Sequence, residues 1–297
     1  MSMIVNRRDV DFMFYEALGL DEMLKADRFA DYDRDSLEAM FDLCQSIAEE
    51  EFLPCAGKLD ANEPQFVNGE VETIPEVKQA ISAFKQAGLC ASGYDADIGG
   101  MQLPWMVDQA LNGMFVCANN PIHIYLFLTQ GVANMLNVCG SAELKNKYLS
   151  PLVEGDWFGT MCLSEPQAGS SLADITTKAE PQGDGSYKIS GTKMWISGGE
   201  QDLSDNIIHM VLAKVPGGPA GVKGISLFLV PKIRVNDDGS LAERNNVALA
   251  GTNGQQFSPL LWDDKMGMLM TNQIQYHNFD MGRTLNFTTS QTQPTVG

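Results

Sequence analysis

Between Ser36 and Leu53 the apolar residues Leu37, Met40, Phe41, Cys44, Ile47 and Ala48 recur at i, i+3, i+4, i+7, the period of one helix face. Asp35-Ser36 offers an N-cap and Pro54 a stop. Pro54–Val71 has no period and reads as a loop. Thr73-Ile-Pro-Glu76 has the form of a capping box, with Val77, Ala80, Ile81 and Phe84 on one face and Gly88 at the end. After a turn at Tyr94–Gly100, Leu103–Ala118 and Ile122–Val138 predict two long, largely buried helices, and Ser141 opens a shorter one reaching Tyr148. These elements predict an all-helical domain over 36–157. The lead-in, 1–35, carries Phe12, Phe14 and Tyr15 before an acidic patch, and its aromatics are expected to anchor it to the body.

The pattern changes at Gly155–Gly159. Ile175–Glu180, Ser186–Ser190, Lys193–Ser197, Asn206–Val215 and Ile225–Val230 are short runs of β-formers. Asp184-Gly185, Gly191-Thr192 and Pro216–Gly224 punctuate them as turns would. The fold class expected is α+β and multidomain, with an antiparallel, β-barrel-like middle domain over 158–250. Residues 251–297 are rich in Thr, Asn, Gln and Met without a helical period, which predicts a poorly ordered tail or a β segment with a loose end.

Charge and composition narrow the function. The formal net charge of −18 argues against nucleic acid, whose binding rests on neutralised phosphates. Residues 1–75 hold 18 acidic and 6 basic side chains, so the acidity sits at the front, as a solvated face. Six cysteines without a CxxC pair, and an N-terminus with no signal-peptide pattern, predict reduced thiols in the cytoplasm. Pro121–Cys139 is apolar but contains His123, Gln130, Asn134 and Asn137, which predicts a buried helix and no transmembrane segment. The three scattered histidines give no metal-ligand spacing, and His209 reads as a satisfied sheet residue. No GxGxxG, P-loop, HExxH or GxSxG is present.

Two stretches carry candidate chemistry. Met161–Ser171 runs from apolar residues into a Pro and Gly turn with hydroxyls at Ser164, Ser170 and Ser171. Gly169 lets backbone approach a ligand, and hydroxyls with backbone N–H groups can donate to phosphate or heteroaryl acceptors. Lys193–Gly199 sets an indole, a branched aliphatic and a hydroxyl before a Gly pair. In an extended strand Trp195 and Ser197 would share a face, placing a ring wall beside a donor.

Together, Ser-Glu-Pro-x-Ala-Gly-Ser and the later Gly-Thr-Lys-x-Trp-Ile-Ser-Gly-Gly resemble the flavin-binding signature of acyl-CoA dehydrogenases. The resemblance spans about Ser36 to Ala250 and is densest over Trp157–Lys232. It points to the branch of bacterial long-chain and methylmercaptopropionyl-CoA dehydrogenases. It implies FAD as cofactor, an acyl-CoA substrate, an electron-transferring flavoprotein as acceptor and a homo-oligomer when full length. By that resemblance Met161, Cys162, Leu163 and Ser164 lie along the flavin, with the Ser164 hydroxyl near its reactive nitrogen. Gly169 lets the backbone come close to the cofactor, and Ser170 approaches its pyrophosphate and also the acyl-CoA phosphates. Trp195 backs the ring, while Ile196 and Ser197 contact its edge. Where relatives often carry Thr, this chain has Ser164 and Ser197, and Ser171 stands where Asp is common. The family's catalytic Glu belongs to a C-terminal helical domain not found here, so the expected chain is truncated, or altered in reading frame after about Gly251, without its own catalytic base and weak or inactive alone. Glu165 is expected to hydrogen-bond backbone rather than act as a base. Two other readings stand beside a dehydrogenase: a non-catalytic α+β fragment binding acyl-CoA or a partner subunit, and an acyl-CoA oxidase or related flavin monooxygenase.

Overall fold

The structure, a computed structural model, describes Ser2 and residues 4–68, 70–252, 272–276 and 284–285. Short helices α1 (Arg7–Asp11) and α2 (Leu20–Met23) form the lead-in. Phe14 is buried against Phe41, with ring centroids 5.6 Å apart, while Phe12 stays exposed. Helix α3 (Arg34–Ile47) starts two residues earlier than the pattern suggested, because Asp33 and Ser36 cap each other: Ser36 N–H donates to Asp33 Oδ1 at 2.8 Å and Asp33 N–H to Ser36 Oγ at 2.9 Å. The stretch expected to be a loop holds α4 (Ala56–Ala61) and a hairpin of β1 (Gln65–Val67) and β2 (Glu70–Glu72). Helix α5 (Pro75–Gln86) has Pro75 at its first position and Gly88 just beyond it with φ +75°. The Thr73–Glu76 box does not form. Thr73 Oγ1 instead donates to Asp202 Oδ1 at 2.8 Å, pinning the helix start to the β domain.

The two long helices of the sequence pattern form one run, α6 (Trp105–Cys139), broken at Asn119, where φ is −162° and ψ is 85°. Pro121 cannot supply the N–H that an unbroken helix needs. Asn119 turns out of the helix and caps the second half, its Oδ1 accepting from Ile122 N–H at 3.4 Å. Helix α6 has the length and hydropathy of a membrane span, but many of its side chains build the core. Helix α7 (Ala142–Val153) is capped by Ser141 as its sequence predicts.

The β domain consists of β3 (Trp157–Cys162), β4 (Lys178–Pro181), β5 (Tyr187–Ile196), β6 (Asn206–Lys214) and β7 (Ile225–Pro231). A hairpin of β8 (Ile233–Val235) and β9 (Leu241–Arg244) follows, then β10 (Val247–Thr252), β11 (Asn272–Tyr276) and β12 (Thr284–Leu285). The main sheet runs β10-β11-β5-β4-β6-β7-β12, with β3 on β6. The expected antiparallel, barrel-like middle domain takes the form of an open, mixed sheet: most neighbours are antiparallel, but β3 lies parallel to β6 from Trp157↔Asn206 to Cys162↔Val211. Period-2 patterning is the same for both pairings, so residues alone do not distinguish them. Of the expected tail, residues 251–252 end β10, and β11 and β12 join this sheet; the rest lies outside the described residues.

One face of the sheet packs Ile208, Met210 and Leu229 against Val132, Leu136 and Leu149 of the helices. The other buries Cys162, Ile189, Ile196, Val211 and Phe228. Gly159 brings β3 onto α6: its N–H donates to Thr129 Oγ1 at 3.0 Å, and an added Cβ would fall 2.5 Å from that of Val132. Gly159→Ala is therefore expected to cost about 1–3 kcal/mol by overpacking, read as a shift in urea midpoint at unchanged m-value. An unshifted midpoint would show that the two elements do not meet this closely.

Candidate functional site

Strand β3 leaves the edge of β6 after Cys162, and β4 takes that edge at Lys178↔Lys214. The segment between them, 163–177, is extruded from the sheet as a loop. It is closed near its start by mutual backbone bonds, Glu165 N–H to Ala168 O at 2.7 Å and Ala168 N–H to Glu165 O at 3.0 Å.

Glu165 ties the loop down. Its side chain is 1 % exposed and meets Lys193 Nζ, itself 0 % exposed, at 2.8 Å. It also accepts from the N–H and hydroxyl groups of Thr176 and Thr177 and from Gln167 Nε2. Lys193 Nζ donates in addition to Leu163 O at 3.0 Å, and Met194 N–H to Ser164 O at 2.9 Å. The two sequence motifs, some thirty residues apart, thus lie side by side. Burial pushes the Glu165 carboxyl up, but the bonds from Lys193, Thr176 N–H and the Thr177 hydroxyl outweigh it and hold the group at about 2. Burial lowers Lys193, and Glu165 works against that. The backbone role expected of Glu165 is present; its salt bridge to Lys193 was not anticipated. A lysine at an inward strand position in Gly-Thr-Lys was the available signal.

Because Glu165 binds its proton more weakly folded than unfolded, its contribution is present above its ordinary value of 4.5 and is lost as pH falls toward about 2. Stability is expected to drop by a few kcal/mol across that window. Denaturation of wild type and Glu165→Gln at a series of pH values checks this: the variant should lack that component of the fall.

The proposed contact residues divide. Met161, Leu163, Ser164 and Ser197 are half-buried, while Gly169 and Ser170 are exposed. Cys162 and Ile196 turn their side chains into the core, which leaves their main chain for any ligand. Trp195 does not sit in extended backbone: its φ is +60°, and its side chain remains 40 % exposed at the end of β5. Trp195 and Ser197 are therefore not consecutive same-face residues of a regular strand. Gly198, at φ +64°, completes the bend, and its backbone lies so close to α6 that a Cβ would be 3.1 Å from the Tyr125 ring. His209 is fully buried in β6, its Nδ1 2.8 Å from Thr160 Oγ1. Its Nε2 has no partner among the described residues. Burial, Lys232 and Arg244 lower its pKa to about 3, so it is neutral at physiological pH.

Residues 34–156 match the acyl-CoA dehydrogenase N-terminal domain, and residues 160–271 match the acyl-CoA dehydrogenase middle domain. The chain belongs to the acyl-CoA dehydrogenase family. It is 34% identical over 269 residues to 3-methylmercaptopropionyl-CoA dehydrogenase of Ruegeria pomeroyi, covering 89% of this chain and 46% of the relative. It is 36% identical over 246 residues to the broad-specificity linear acyl-CoA dehydrogenase FadE5 of Mycobacterium tuberculosis, covering 82% and 40%. The chain therefore spans less than half the length of these family members. Among solved structures, a glutaryl-CoA dehydrogenase from Mycobacterium smegmatis in complex with FADH2 shares the fold, with a TM-score of 0.59 at 19% identity over 89% of this chain and 58% of that one.

Proposed function

We propose that this chain carries the flavin-binding half-site of an FAD-dependent acyl-CoA dehydrogenase. The observation that carries the reading is the Glu165–Lys193 clamp, which sets Ser164 beside the left-handed, exposed Trp195. The residues fit the cofactor. Among the described residues no hydrogen bond engages the side chains of Ser164, Ser170, Ser171 or Ser197, so four hydroxyls are available as donors. A Cβ at Gly169 would meet nothing within 4 Å, leaving room for a bulky anion against the backbone. Met161, Leu163 and Trp195 would hold the flat ring, Ser164 and Ser197 would donate to its heteroatoms, and Ser170 would meet phosphates of the cofactor and of an acyl-CoA. The flavin, when bound, accepts the hydride of an α,β-dehydrogenation. Donors preorganised at its edge stabilise the charge that the ring acquires.

Glu165 is not the proton-abstracting base, being ionised, buried and committed to Lys193. By the family resemblance that base would come from a C-terminal helical domain. Electrons would pass to an electron-transferring flavoprotein, and the full assembly would be a homo-oligomer in the cytoplasm, a compartment consistent with six cysteines that form no disulfide with one another.

The test is the visible spectrum of protein mixed with FAD and then gel-filtered. A retained flavin band is expected for wild type and for His209→Ala, and a weaker one for Ser164→Ala. Losing one hydroxyl donor should raise the dissociation constant roughly three- to tenfold. Equal retention in wild type and Ser164→Ala would remove Ser164 from the site.

A further inference from the structure

The chain between β5 and β6, residues 197–205, begins with Ser197, one of the residues proposed to meet the flavin edge. Loop side chains ordinarily face water, yet Glu200 and Gln201 are only 3 % and 2 % exposed. Gln201 folds the loop from within. Its Oε1 accepts from the N–H groups of Leu203 and Ser204, the latter at 3.0 Å, and its Nε2 donates to Ser204 Oγ at 2.6 Å. Toward the helices, Lys78 Nζ donates to Asp202 O at 3.2 Å, beside the Thr73 bond, and Leu203 enters the helical core.

Glu200 ties the loop to the opposite side. Its Oε2 accepts from Arg244 Nη2 of β9 at 2.8 Å. Its Oε1 accepts from Gln201 N–H at 3.1 Å and from Lys232 Nζ, which comes from the turn between β7 and β8. A carboxylate is buried at tolerable cost only when cations and donors meet it in this way. Both cations are themselves anchored. Lys232 N–H donates to Ile207 O at 2.7 Å and its carbonyl accepts from Asn245 N–H at 2.8 Å, while Arg244 also pairs with Glu70 of β2 at 3.5 Å.

Only Gly198 and Gly199 stand between Ser197 and this anchor, and two glycines restrain a chain less than any other pair. A donor aimed at a cofactor has to be held to within about 0.5 Å. Strand β5 alone does not hold Ser197 that closely, so its position is imposed from beyond the glycines.

We propose that Glu200 is a positioning residue for the flavin edge: gripped by Lys232 and Arg244, it locks the Gly198-Gly199 turn and so places the Ser197 hydroxyl. The proposal rests on the flavin half-site reading. It gives the second motif what Glu165 gives the first.

The test measures the FAD dissociation constant of the full chain as wild type, Ser197→Ala, Glu200→Gln and the double variant. Ser197→Ala is expected to raise it roughly three- to tenfold, and Glu200→Gln at least as much. In the Glu200→Gln background Ser197→Ala should add less than about twofold, because the donor is already out of place. A merely structural loss would leave the two effects additive. Arg244→Gln, at a side chain 39 % exposed, is the milder second variant should Glu200→Gln fail to fold; it removes one of the two cations and should show the same non-additivity with Ser197→Ala. Strictly additive losses, or wild-type affinity in Ser197→Ala or Glu200→Gln, would overturn this proposal alone. A wild type that binds no FAD would overturn the half-site reading and this proposal with it.

Discussion

Lys193→Met is expected to lower unfolding stability by about 3–5 kcal/mol, because it leaves the Glu165 carboxylate buried without its cation. The loss should not stop at stability. Lys193 also holds Leu163 O, and Glu165 gathers Thr176 and Thr177, so the whole 163–177 loop is released when the pair is broken. Flavin retention should fall with it, although neither side chain is proposed to touch the cofactor. Glu165→Gln/Lys193→Met is the informative partner variant. Removing both charges abolishes the desolvation cost, so it should recover much of the stability lost by Lys193→Met alone. Urea denaturation of the three proteins reads the coupling, and the visible spectrum after gel filtration reads the loop. Strictly additive single-variant losses would mean that the two side chains do not act as a pair.

The helical half of the molecule was legible because its physics is local. Leu37 to Ala48 and Val77 to Phe84 declare their buried faces by spacing alone, and Ser141 caps where its sequence says. The break in α6 was legible too, from Pro121, although the residue that makes it work, Asn119, acts through a side-chain cap that no period reveals. The failures are nonlocal. The partner of Thr73 is Asp202, 129 residues away, and the parallel seating of β3 on β6 depends on what fills the edge after Cys162. The candidate site was legible as two motifs but not as one object. What joins them is a buried lysine in β5, given no role by its own stretch, meeting a buried glutamate in the loop that was expected to bond only backbone.

Trp195 is where local pattern and structure disagree most, and it yields the sharpest test of the site. A non-glycine residue at φ +60° costs of order 1–3 kcal/mol, and a bulky one persists there only if its surroundings impose it. Trp195→Ala removes the ring and keeps the strain, since alanine is no freer in the left-handed region. Trp195→Gly removes both. The two variants should therefore separate what strand geometry and ring contact each contribute. The glycine variant is expected to be more stable than the alanine variant by about 1 kcal/mol, measured by thermal or urea unfolding. Both should bind FAD equally weakly, because losing an apolar ring contact worth about 2 kcal/mol corresponds to roughly a thirtyfold higher dissociation constant. Were glycine no more stable than alanine, Trp195 would not be held left-handed in solution. Should FAD affinity survive in both, the ring would have no place against the cofactor, and the half-site would have to be built from the Ser164 loop alone.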